Sequence, residues 1–318
     1  MPPWIALPCS RKEQNSLCRV VLPPTFPDLE GYAIFFRTAL AFSSFLTRRK
    51  RLVSRLLTLT SDFGLRDAYV AAMKGTILAI NPQARMVDIS HEITPHDVME
   101  AAFVLSQAVP YFPPESVHLV VVDPGVGTER LPIALRHGNH FFVGPDNGLF
   151  ALLLKDETPD ELVVLDRPEF WRVPNRSETF HGRDVFAPVA AHLAAGRSLR
   201  DVGTPTEALH PLLWALPIDD HQGINGWIVH VDHFGNGVTN IPRASFEKLC
   251  DGRALKCYVG NAILSEVHPT YGAVETGEPL LLFGSSNFLE IAVNAGNAAD
   301  LLDIRKGTPV NVVFLEDK

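Results

Sequence analysis

Cysteine is scarce. The 318-residue chain has four, Cys9, Cys18, Cys250 and Cys257. They form no disulfide framework and, with no histidine cluster beside them, no zinc site. That usage fits a reducing, cytoplasmic setting. Long apolar runs are missing as well. Ala33 to Leu46 is too short for a comfortable membrane span and is interrupted by Arg37. Gly-x-Gly-x-x-Gly and Walker phosphate loops are absent, so a dinucleotide fits poorly and a nucleoside-like ligand without a phosphate fits better. Positive charge is outnumbered in the body of the chain. The formal net charge is −8; residues 1–55 carry nine Lys/Arg against three Asp/Glu, which leaves 19 against 33, or −14, for residues 56–318. An acidic body argues against a nucleic-acid partner held through its phosphates.

What is present is ordinary globular sequence, 46% hydrophobic and 20% charged, long enough for two domains. Residues 1–55 stand apart: Pro-rich and polar, then the short apolar run, then Arg48-Arg49-Lys50-Arg51. A secretory signal carries its charges before the apolar core, the reverse of this order. The segment reads as an extension outside the fold, with a targeting segment or a surface helix as alternatives.

Residues 56–218 read as an α/β domain with a mostly parallel, helix-covered sheet. Strands are expected at Leu56–Thr60, Met86–Ile89 and Val117–Val122, with helices at Ala68–Ile80 and from Thr94, as N-cap with Pro95 at the first helical position, to Val109. A hairpin turning at His137-Gly138-Asn139, a strand at Leu162–Leu165 and an apolar helix at Val185–Leu193 complete it. Residues 201–222 read as a linker. In residues 223–318 short strands follow one another with little helix: Gly226–Val231, Lys256–Val259, Ala262–Val267, Pro279–Phe283, Leu289–Val293 and Val310–Leu315. That spacing suggests a smaller all-β, antiparallel, barrel-like domain.

The stretch His118–Arg130 (HLVVVDPGVGTER) joins a buried strand to a carboxylate, a Pro/Gly turn and a cation. Open α/β sheets place ligand chemistry at that strand end. Asp62, Asp146 with Asn147, and His181 occupy comparable loops. Asp62, after the first strand, suits the two hydroxyls of a ribose. A two-metal hydrolase would need several His ligands in short fixed motifs, which are lacking, so no metal is expected. His91, His96, His118, His192, His210, His230, His233 and His268 are assigned to caps, surfaces or packing.

Taken together, Thr60-Ser61-Asp62-Phe63-Gly64, Ile93–Asp97, Val122–Thr128, Gly144–Gly148, Phe180–Asp184, Asp232–Asn236 with Thr239-Asn240, and Gly284-Ser285-Ser286 leading to Glu290–Asn294 resemble the S-adenosyl-L-methionine hydroxide adenosyltransferases, relatives of the fluorinase and chlorinase enzymes. The resemblance runs from about Leu57 to Val313. It implies hydrolysis of S-adenosyl-L-methionine (SAM) to adenosine and L-methionine by attack of water on C5′, with no cofactor. It implies a catalytic set of Asp123, Arg130 and His181; in such a set Asp123 and His181 can accept hydrogen bonds from the water, and Arg130 can orient Asp123 and favour developing hydroxide character. By the same resemblance Asp62 takes the ribose hydroxyls, Asn236 and the Ala295 backbone face the adenine, and Asp232 and Ser285 hold the methionine end. Glu290 lies in the same motif. Ser286 stands where the halogenases carry Arg, which leaves the carboxylate partner open. The family's unit is a trimer with sites between neighbouring subunits. The alternatives are a SAM-dependent 5′-halogenase, disfavoured because Asp123 and Gly182 stand where those enzymes carry Tyr and Ser, and a non-catalytic adenosine or SAM binder.

Overall fold

The computed structural model describes residues 54–154, 157–207, 209–210, 217–220 and 222–315. The expected N-terminal extension lies outside them, apart from Ser54 and Arg55. Strand β1 (Leu56–Ser61) is buried along almost its whole length and pairs in parallel with β2 (Arg85–Ser90) and β3 (Val117–Val121). The two-residue period of a strand shows in β3. Val117, Leu119 and Val121 pack under helices α1 (Tyr69–Ile80) and α4 (Ala187–Ala194), against Met73, Ile77, Val189 and Leu193. Val120 and Val122 face the opposite layer, where Ala101 and Leu105 of helix α2 (Val98–Ala108) meet Phe142 and Leu149. Both faces are covered, which is why the strand is apolar except at His118, a buried ring that Thr58 Oγ1 meets at 2.8 Å.

The sheet order is β2-β1-β3-β5-β4-β6-β7, with β5 (His140–Pro145) parallel to β3 and β4 (Pro132–His137), β6 (Glu161–Val164) and β7 (Thr204–Pro205) antiparallel beyond it. The expected β4–β5 hairpin is present, with Gly138 at φ 57°. Short helices α3 (Ala151–Leu154) and α5 (Leu199–Val202) cover the sheet's flank. The chain leaves β1 toward β2 on one side and β3 toward β5 on the other. The topological switch point therefore lies between the carboxyl ends of β1 and β3.

Helix α2 departs from expectation. Its N-cap is Asp97, whose carboxylate accepts from the Glu100 amide at 2.9 Å, and neither Thr94 nor Pro95 is helical. His96 takes φ 69°, which ends any helical path through it, and Glu100 reaches back to accept from the Thr94 amide at 3.1 Å.

In the second half, β8 (Ile218–Asp219), β9 (Gly223–Val231), β10 (Gly237–Pro242), β11 (Leu255–Val259), β12 (Ala262–Leu264), β13 (Val267–His268), β14 (Pro279–Phe283), β15 (Phe288–Val293) and β16 (Pro309–Phe314) form one mostly antiparallel sheet. Its order is β12-β11-β16-β9-β10-β15-β14-β13, with β8 beside β9. Strands β12 and β13 sit at opposite ends of that path, yet only Ser265 and Glu266 separate them in sequence. The sheet must curl until its edges nearly meet, and the result is a half-barrel.

The sequence reading differs there in four places: β10, helix α6 (Arg243–Cys250) and helix α7 (Ala298–Leu302) are not expected, and the single strand expected at Ala262–Val267 is broken into β12 and β13. Strand β10 reads GVTNIP, a turn-like composition, but its buried polar groups are satisfied. Thr239 Oγ1 accepts from the Ile241 amide at 3.0 Å and Asn240 Oδ1 from the Trp227 amide at 2.9 Å. The segment read as a linker enters both sheets, through β7 and β8.

Helix α2 also carries the contact between the halves. Phe103 stacks on His230 at 5.5 Å between ring centres and meets Phe288 edge-on at 5.9 Å. Glu100 pairs with His230 at 3.5 Å, and Asp97 pairs with Lys306. No helix among the described residues is long and apolar enough to cross a membrane.

Candidate active site

Asp62 and Asp123 emerge at the switch point, from the ends of β1 and β3. Asp62 Oδ2 accepts from the His96 amide at 2.8 Å. After Asp123 the chain turns tightly. The Val126 amide donates to the Asp123 carbonyl at 3.2 Å and Thr128 Oγ1 to the Gly125 carbonyl at 2.7 Å. Gly127 adopts φ 76°, and a Cβ there would stand 2.6 Å from the Glu178 carbonyl oxygen. Only glycine lets this turn lie against the strand of chain that carries His181.

The turn returns Arg130 onto Asp123. Nε donates to Oδ1 at 2.9 Å and Nη2 to Oδ2, with the two side chains 8% and 6% exposed. The same Nη2 donates to His181 Nδ1 at 2.7 Å. One guanidinium thus joins all three residues of the expected catalytic set, and it rests on the Phe186 ring at 5.2 Å. His181 opens a π-helical turn, Gly182–Phe186, a widened helix start of the kind that gathers at functional sites. Gly182 is hemmed in: a Cβ would sit 3.2 Å from Met73 Sδ, Phe180 and Val121.

Arginine has no acceptor, so Nδ1 of His181 must be the acceptor and Nε2 carries the proton. Burial, then Arg130 and Arg176, lower the imidazole pKa below its ordinary 6.5, with Asp123 and Glu178 opposing. The ring is neutral at pH 7, with a donor at Nε2. This revises the expectation that His181 accepts from water. His181 Nε2 and Arg130 Nη1 are both buried and have no hydrogen-bond partner among the described residues. Two unpaired buried donors around one carboxylate are costly to leave so, and suit an oxygen nucleophile.

Around this centre stand Phe63, Tyr69 and Phe180, in mutual contact at 5.2–5.6 Å between ring centres. A cleft of about 450 Å³ is lined by Thr94, His96, Met99, Asn147 and His210 among others. Asn147 is tied to the centre through a 3.0 Å bond to the Val122 carbonyl. Asp146 Oδ1 accepts from the His210 amide at 2.8 Å, and burial raises its pKa. His96 and His210, assigned above to caps, surfaces or packing, line this cleft. Their separation in sequence gave no sign of it.

The remaining expected residues lie in the half-barrel. Asp232 Oδ1 accepts from the amides of Phe234 (2.9 Å) and Asn236 (2.8 Å), and Oδ2 accepts from Asn236 Nδ2 at 3.0 Å. Glu290 is buried, and its Oε1 accepts from the Tyr271 hydroxyl at 2.6 Å. Burial raises the Glu290 pKa and neighbouring Asp232 adds to it, against the Tyr271 hydrogen bond. Tyr271 was not singled out in the sequence. Ser285 and Ser286 occupy the turn before β15 and Ala295, at φ 54°, lies beyond its end. The structure brings Asp232, Asn236 and Glu290 together and sets the two turns at opposite ends of β15. No hydrogen bond, ion pair or ring contact among the described residues joins this set to Asp62, Asp123, Arg130 or His181. No group of three or more His, Cys, Asp and Glu among the described residues is placed to hold a metal ion.

Comparison with known proteins covers both halves. Residues 57–203 match the SAM hydroxide adenosyltransferase N-terminal domain and residues 226–311 the C-terminal domain. An (R)-S-adenosyl-L-methionine hydrolase of Salinispora arenicola is 42% identical over 262 residues, 80% of this chain and 97% of that protein. The protein of the same name from Thermus thermophilus is 39% identical over 266 residues, 80% of this chain and 97% of its own length. A fluorinase of Nocardia brasiliensis is 30% identical over 295 residues, covering 81% and 96%. The crystal structure of an uncharacterized conserved protein from Thermotoga maritima superposes with a TM-score of 0.75 at 38% identity, over 81% of this chain and all of that one. With both halves matched in order, the chain belongs to the SAM hydroxide adenosyltransferase family.

Proposed function

We propose that this protein hydrolyses SAM to adenosine and L-methionine. The observation that carries the reading is the single guanidinium shared by Asp123 and His181. The sulfonium is already a good leaving group, so the enzyme's work is on the water. The C5′–S bond breaks with its electron pair going to sulfur, the water oxygen bonds to C5′, and one proton of that water passes to solvent. Asp123 accepts a hydrogen bond from the water on a lone pair left free by Arg130. His181 Nε2–H and Arg130 Nη1–H point donors at the oxygen and ease loss of its proton, so that it has hydroxide character before it attacks C5′. Asp62 takes the ribose hydroxyls, Asn236 and the Ala295 backbone face adenine, and Asp232, with Ser285, Ser286 and Glu290 nearby, receives the methionine end.

By the family resemblance, the working site is built between the α/β half of one protomer and the half-barrel of its neighbour in a homotrimer. Phe234, 73% exposed beside Asp232, supports that docking. The free thiols of Cys250 and Cys257 support a cytoplasmic setting. A halogenase is disfavoured by a carboxylate where a halide would sit and by the absence of a hydroxyl at the tightly packed Gly182. The relatives' names specify the (R) sulfonium epimer, so both epimers belong in the test. Purified protein incubated with each in ¹⁸O-water should release methionine and adenosine labelled at the 5′ oxygen. Unlabelled adenosine, 5′-chloroadenosine in chloride, or binding without turnover would each end this reading.

A further inference from the structure

His181 must be held to a fraction of an ångström if its Nδ1 is to stay on Arg130, yet it follows a long irregular segment. From the end of β6 at Val164 to His181 the only regular element is one 3₁₀ turn, Pro168–Phe170. Loops of that length without structure of their own need an internal anchor or are mobile. The anchor is Asp184, three residues beyond His181 and 1% exposed. Its Oδ1 accepts from Arg172 Nε at 2.6 Å and Arg183 Nε at 2.7 Å, and its Oδ2 from Arg183 Nη2 at 2.8 Å and the Ser177 amide at 2.9 Å. The Asp184 carbonyl accepts from the Arg172 amide at 2.9 Å, and the Asp184 amide donates to the Phe180 carbonyl at 3.2 Å. One residue thus ties the loop near its middle, at Arg172, again at Ser177, and at its end, at Phe180.

We propose that Asp184 is a positioning residue for the hydrolysis: it ties residues 172–183 to the π-helical turn and so fixes the His181 imidazole against Arg130. The inference rests on the functional reading above for its kinetic consequence, but not for its geometry. The Asp184 carboxylate accepts from Arg172, Arg183 and Ser177, none of them in the Asp123–Arg130–His181 set. Its two arginine partners are 40% and 32% exposed at their side chains, so water can solvate them if the carboxylate is lost. Burial opposes ionisation of Asp184, while hydrogen bonds from Arg183, Arg172 and the Ser177 amide hold its pKa well below the usual carboxylate range. The anchor is therefore charged throughout the working pH range.

Asp184→Asn keeps the size and replaces one acceptor oxygen by a donor that faces other donors. Arg172→Ala removes only the far end of the tie and leaves Asp184 paired with Arg183, so it tests the same point if the first variant fails to fold. Each folded variant is expected to lose kcat by about 10²-fold for a displacement near 1 Å, with KM changed less than threefold. In ¹⁵N-imidazole NMR of the full chain, His181 should change from a fixed Nε2–H tautomer to an averaged one. A merely structural role would lower thermal stability and leave both the tautomer and kcat of the folded fraction unchanged, and that result overturns the proposal. The NMR measurement needs no substrate. If the parent protein proved unable to cleave SAM while the tautomer still changed, the functional reading would fail and the positioning of His181 by Asp184 would stand.

Discussion

Replacing Asp123 with Asn tests the reading at its centre. The carboxylate receives two hydrogen bonds from a guanidinium, and both side chains are under one-tenth exposed. Asn offers one oxygen and an NH2 group that faces Arg130's donors, so one bond of the pair is lost and the cation is left partly unpaired. Breaking a buried pair from one side costs about 3–5 kcal/mol, against a total stability of about 5–15 kcal/mol for a native protein. A lower urea midpoint is therefore expected, with most of the protein still folded in buffer. The catalytic loss is separate. Without the charge the water loses its acceptor, and Arg130 loses the partner that aims it at His181. Positioned acid–base help is worth ~10²–10⁴-fold, which is about 3–5 kcal/mol of transition-state stabilisation. The assay is initial-rate adenosine formation, normalised by the folded fraction from urea unfolding on the same preparation. The expected result is kcat down at least ~10²-fold with KM nearly unchanged, because Asp123 faces the water. Folded Asp123→Asn turning over within threefold of the parent would refute the reasoning. Arg130→Lys is the companion: an ammonium cannot serve both Asp123 oxygens and His181 in one plane, so it should be impaired although the charge is kept.

Other outcomes follow from the same geometry. Gly127→Ala should lower kcat without unfolding the protein, since a Cβ at φ 76° would press on the Glu178 carbonyl and part the two catalytic loops; a crystal structure of an unimpaired variant with the loops unmoved would contradict it. Any acid limb of kcat/KM set by His181 should lie below pH 6.5, because burial, then Arg130, lower its pKa; an acid limb at or above pH 6.5 would show the assignment to be wrong. Stability should fall in acid. Burial, then His140, lowers the His118 pKa from 6.5 to about 3, so between those values the unfolded chain binds a proton that the folded one does not. The contribution is complete above pH 6.5 and declines as pH falls, by about 2 kcal/mol at pH 5. Urea titrations at pH 7.5 and 5 should show it, and His118→Gln should lack that share of the decline. Turnover should survive exhaustive chelation; loss restored by a divalent ion would replace the water-activation scheme with another.

The sequence by itself determined the parts whose environment repeats along the chain. Strand β3 is apolar at every position but His118 because both of its faces are covered, and the period of two and the helical spacing of α1 and α4 expose the layered first half. Asp62 and Asp123 were legible as candidate site residues because open α/β sheets place ligand chemistry at the carboxyl ends of their strands. Tertiary structure decided what depends on partners distant in sequence. Strand β10 looks like a turn until Trp227 and Ile241 satisfy its Asn240 and Thr239. Helix α2 begins at Asp97 rather than Thr94 because His96 takes a positive φ and its amide serves Asp62. The proton on His181 sits at Nε2 only because Arg130, fifty-one residues away, occupies Nδ1. Short-range pattern records which surface a residue faces; hydrogen-bond roles are set by whichever donor the fold delivers, and that donor is fixed only when the chain has closed on itself.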